Sequence, residues 1–270
     1  MLATLTVAGT PVGRYHSGEG LPATLAPRPH LELTTLGGAK VTDIAPEDHR
    51  WHLGVGVAVQ DVGGANLWGG RTYVRGTGYE WRDDHGSMIH TTWRELSDTV
   101  LDHDLDWLGP DGTAIVTEHR TVRAEPADDG YRFTFTFTLQ SPAPVALGSP
   151  ETNGREAAGY GGFFWRLPRP ASEATVFTPD ARGEHAVHGS PAPWIAYHGD
   201  DGTHPFTIAL RGTDDETAAD RWFVRQEGYP GIGSSIAPAT VTPSGLTRRF
   251  TAVVLDGHTE PERVERLLAS

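Results

Sequence analysis

The chain has 270 residues, with Asp+Glu 35 against Lys+Arg 22, a formal net charge of −13 and one lysine, Lys40. An acidic surface without a basic stripe repels a phosphate backbone, which argues against nucleic-acid binding, and the lack of cysteine excludes disulfides, thiol catalysis and thiolate metal sites. No run of about 18 apolar residues marks a membrane span. Residues 1–7 lack the basic start and apolar core of a secretory signal, so a cytoplasmic protein is expected.

Gly 33 and Pro 20 imply many turns, and short apolar or alternating runs recur between them. In chain order the strand candidates are 31–35, 53–60, 87–96, 113–123, 131–139, 163–167, 194–197, 206–211, 221–225 and 247–255. The clearest is 131–139, where Tyr131, Phe133, Phe135 and Phe137 share one face and the threonines take the other, as a period of two requires. Asp128-Asp129-Gly130 before it marks a hairpin with 113–123. The one helix signal is terminal: Thr259-Glu260-Pro261-Glu262 combines a capping box with an early proline, and Val264, Leu267 and Leu268 form its stripe. Many strands and one helix predict a single all-β domain over 1–270. Its form is a large antiparallel two-sheet sandwich, supersandwich-like, with a short C-terminal helix.

The segment Asp48-His49-Arg50-Trp51-His52 concentrates acid, base and aromatic groups beyond Pro46. Imidazoles three residues apart converge if this segment is a turn. After it Gly54, Gly56 and Ala58 share a strand face with His52, a floor of tiny side chains that would leave room for a ligand. His49, His52 and His90 are candidate catalytic groups and candidate ligands for a divalent metal, the set zinc would require. A second group follows at 151–166: Glu151 is a candidate acid or base, Arg166 a candidate oxyanion holder, and Tyr160 and Trp165 candidate sugar platforms. Trp165 serves equally well as core. Asp48, Arg50, Trp51 and Trp68 complete the expected binding set. A third group, Trp222 to Tyr229, reads as a strand with a buried Arg225–Glu227 pair, and 102–107 as a solvated strand end despite its metal-like Asp-His-Asp spacing.

These segments together resemble the bacterial family labelled methane oxygenase PmoA-like. The resemblance is carried by Arg28-Pro29, Asp48-His49 with His52, Asn66-Leu67-Trp68, His90, Trp107 with Pro110-Asp111-Gly112, Glu118 with Arg120, Gly162-Phe163 with Arg166, and Trp222 with Val224-Arg225. The family's Lys-Glu-Gly element appears here altered, as Glu151-Thr152-Asn153-Gly154. The resemblance implies a sandwich similar to the galactose-mutarotase-like sugar enzymes. The expected function is therefore acid–base chemistry by His and Glu on a sugar or an oxidised (keto) glycoside: epimerisation, β-elimination or hydrolysis. A His-based metal-dependent enzyme and a non-catalytic carbohydrate-binding or regulatory module are the alternatives. The expected partner is a small sugar or glycoside.

Overall fold

The computed structural model describes residues 1–269. Its strands form two large antiparallel sheets. The first runs, edge to edge, Ala3–Val7, Thr10–His16, His30–Leu33, Val55–Ala58, Gly162–Arg166, Gly231–Ser235 and Arg221–Arg225. The second runs Thr175–Phe177, Ile195–Asp200, Pro205–Gly212, Leu246–Asp256, Gly130–Gln140, Ala114–Ala127, Val100–Leu108 and Ser87–Leu96. The sandwich fold and the terminal helix, Pro261–Ala269, match expectation. Two further one-turn helices, Glu184–Val187 and Asp215–Ala218, lie in connections. Among the described residues no helix is long and apolar enough to cross a membrane.

The main core lies between the sheets. Phe133, Phe135 and Phe137 pack from the second sheet, and Val57, Phe163 and Trp165 from the first. Strand alternation assigns these faces. Trp165 pairs across the ladder with Val55 and Ile232, and Ile232 with Val224, so all four point inward. The opposite row is Gly56, Phe164, Gly233 and Phe223. It points away from the core and starts a second apolar cluster of Ala58, Trp68, Phe164 and Phe223.

Residues 102–107 differ from the solvated strand end expected. They lie inside Val100–Leu108, with His103, Leu105 and Trp107 fully buried and the aspartates alternating outward. The strands Ala3–Val7 and Gly231–Ser235 were also not anticipated. The second is rich in glycine, which disfavours strands in general. Here it is required, because a Cβ on Gly231 would stand 2.8 Å from the Phe164 ring.

Candidate active site

A cavity of about 370 Å³ opens on the outer face of the first sheet, a size suited to a small organic ligand. Phe223 and Trp68 belong to its apolar base, together with the packed Phe164 beneath. His49, Trp51 and His52 come from the turn after Pro46, and Tyr79 from the small hairpin Thr72–Val74/Gly78–Glu80. Trp81, Arg71, Arg155, Tyr160, Arg225 and Tyr229 complete the lining.

Successive backbone bonds build the histidine turn: His49 N–H donates to Pro46 O at 3.0 Å and His52 N–H to His49 O at 2.9 Å. The two imidazole centroids stand 4.9 Å apart, and Tyr229 lies 4.2 Å from His49. His52 is buried, and no hydrogen bond engages its ring. Burial, then the charge of Arg166, holds its pKa well below the usual histidine range. His49 is lowered too, chiefly by burial, although Asp48 Oδ2 at 3.3 Å pulls the other way. Both are therefore neutral imidazoles at pH 7, each with a ring nitrogen lone pair to offer as acceptor, although burial opposes the charged form. Burial alone would raise Asp48. Contact with Arg169 at 3.1 Å, with His49 and with Arg166 reverses this, and its pKa falls below the usual range.

Loop architecture explains the aromatic walls. Asn66 is fully buried, and its Oδ1 accepts from Trp68 N–H at 3.0 Å and Gly69 N–H at 2.8 Å, while Nδ2 donates to Thr72 Oγ1. Gly69 and Gly70 have φ of +96° and +71°, and a Cβ on Gly70 would come within 2.6 Å of the Trp51 ring. The glycine pair thus lets Trp51 lie flat on the loop. Beneath, Arg28 donates from Nη2 to Trp51 O at 2.8 Å and from Nη1 to Trp68 O at 3.1 Å, fixing two walls with one side chain.

Of the residues anticipated, His49, His52, Trp51, Trp68 and Tyr160 converge on this cavity. Asp48 and Arg166 stand beside it: Arg166 is fully buried, with Nη2 3.8 Å from Asp48 and 4.0 Å from Asp43. Its three nitrogens have no hydrogen-bond acceptor. Arg50 is exposed on the turn, outside the lining. Trp165 is core, its Nε1 donating to Val41 O at 2.7 Å. Glu151 lines a different cavity, with His188 and Trp222. His90 belongs to the edge strand of the second sheet, where Nδ1 lies 3.0 Å from His103 Nδ1. The set His49, His52 and His90 is therefore not assembled, and among the described residues no three His, Asp or Glu side chains form a metal-binding group.

The floor of small residues has a different cause from the one inferred. A Cβ on Gly54 would fall 2.0 Å from Leu31 O, and one on Gly56 3.2 Å from Pro29 O. These glycines admit a neighbouring backbone rather than a ligand. Of the three, Ala58 is the one whose side chain joins the aromatic cluster. Arg225 is a correction as well: it pairs with Glu184 at 3.6 Å, not with Glu227, and reaches the cavity beside Phe223. Arg71, Tyr79, Trp81, Arg155 and Tyr229 come from turns and a short hairpin, which carry no periodic signal.

A family model described as a family of unknown function, DUF6807, matches residues 3–269. The chain belongs to that family. No curated protein matches the DUF6807 chain.

Proposed function

We propose that this DUF6807 protein is an enzyme that moves a proton on a small sugar-like molecule bound against Trp68, with His52 as the principal base and His49 beside it. The observation that carries this reading is His52 itself: a buried, neutral imidazole free of protein hydrogen bonds, on the wall of an aromatic cavity. A structural histidine would spend its ring nitrogens on neighbours. An aromatic base suits the C–H face of a sugar ring.

A second proton-transfer group also stands against Trp68. Tyr160 lies 4.6 Å from Trp68 by ring centroids and His52 5.6 Å. Tyr160 shares its hydroxyl with that of Tyr79 at 3.0 Å, and Tyr79 accepts from Arg155. Burial, then Tyr79, raises the Tyr160 pKa well above the phenol range, so it stays protonated and can donate. In the reaction His52 takes the proton from a carbon next to a carbonyl, and the C–H electron pair moves onto the carbonyl oxygen. Return of a proton from the other side gives the epimer, and loss of a β-substituent gives elimination. The sequence resemblance to the PmoA-labelled family, and the mutarotase-like sandwich which that resemblance implies, favour a sugar as substrate.

The test is His52→Gln. On whichever sugar the native protein converts, turnover should fall about 10²- to 10⁴-fold, the usual worth of a general base, with the melting temperature little changed. Full turnover in the folded variant removes the reading. The acid limb of kcat/KM should fall below pH 6.5, because burial depresses both histidines; a limb centred above pH 7 would contradict the assignment.

A further inference from the structure

The cavity has the opposite charge to the molecule around it. The chain carries −13, yet the lining holds Arg71, Arg155 and Arg225 and no carboxylate. Only Arg225 is compensated, by Glu184. Arg155 spends one N–H on the Tyr79 hydroxyl and stacks on that ring at 4.9 Å, without an acidic partner. Arg71 lies over Trp81, 5.9 Å from its centroid, and among the described residues no hydrogen bond or ion pair occupies its guanidinium. Trp81 is 55% exposed at the rim, with Trp51 packed edge-on to it. An uncommitted planar donor beside an exposed indole, in a site with two uncompensated positive charges, is built to receive an anion on a ring.

We propose that the substrate is a sugar acid, its carboxylate held by Arg71 and drawn in by Arg155 while the ring lies against Trp68. This rests on the reading of the cavity as a sugar site and adds the charge of its ligand. It also gives the proton transfer its target, since the carbon beside a carboxylate is acidified when that group is neutralised by fixed cations.

Trp51, Trp68 and Trp81 line the site, so intrinsic fluorescence reports occupancy. The probes are glucuronate and its neutral methyl ester, titrated at low and at physiological salt. The acid should bind at least about ten-fold more tightly at low salt, with the preference shrinking as salt rises. Arg71→Ala should cut the preference to below about three-fold, whereas Arg14→Ala, which removes the same charge from an exposed position on Thr10–His16 outside the cavity, should leave it intact. Equal binding of both probes, no binding of either, or a preference that survives Arg71→Ala each overturns the proposal. Acid-selective binding without turnover would remove the enzymatic reading and leave this one standing. Turnover lost in His52→Gln but indifferent to substrate charge would do the reverse.

Discussion

Single residues set the shape of the cavity, and glycine matters where side chains must lie on backbone. Gly70 sits at φ +71° under the Trp51 ring. Gly70→Ala adds both left-handed strain and a clash. It should destabilise the fold by about 1–3 kcal/mol and shift the tryptophan emission, as denaturant titration and fluorescence would show. An unchanged midpoint would mean that the ring does not rest there. The histidine turn was legible because its acid, base and aromatic groups crowd into five positions. The partners across the cavity were not legible. Arg71, Tyr79 and Trp81 are isolated in sequence and meet only through loop and hairpin geometry, whereas Glu151 and His90 looked chemical in sequence but stand elsewhere, Glu151 exposed on a different cavity and His90 beside His103.

Among elements, the alternation that identified the strands also separated core from site. Phe163 and Trp165 face inward while Phe164 faces the aromatic cluster, so one five-residue strand contributes to both. The rule failed where a strand is acidic or glycine-rich: 102–107 hides its buried His103, Leu105 and Trp107 behind alternating aspartates. Loops are tied to this frame by Arg28, which is buried and donates to Leu25 O, Ala26 O, Trp51 O and Trp68 O. Burial and the nearby Arg120 lower its pKa to about 9. Arg28→Met leaves those carbonyls without a shared donor. It should cost about 3 kcal/mol or more and weaken ligand binding more than a surface arginine change does, measurable as paired stability and affinity losses.

Across the whole molecule, buried polar chains join the two sheets. Arg120 and Glu118 are fully buried; Arg120 donates to Glu118, to the Tyr15 hydroxyl and to Pro29 O, and Trp107 Nε1 donates to Glu118. Removing one partner strands the other charge, so Glu118→Gln should destabilise by roughly 3–5 kcal/mol. Three buried histidines make stability depend on pH. Burial lowers His30 to about 3 and His103 to about 2, and His52 also lies well below its usual value. The unfolded chain therefore takes up protons first as pH falls. Their contribution is complete above pH 6.5 and is lost below it, by about 2 kcal/mol each for His30 and His103 at pH 5. Urea midpoints should drop between pH 7 and 5; a flat profile would contradict neutral burial.

The central claim is that His52 moves a proton on a sugar acid in this cavity. Incubation with sugar acids in D₂O, followed by proton NMR, tests it most directly. The native protein should exchange the hydrogen beside the carboxylate or carbonyl for deuterium, or form the eliminated product, and folded His52→Gln should do neither. Equal exchange by the variant, or no exchange and no product from the native protein on any sugar acid it binds, would contradict the account.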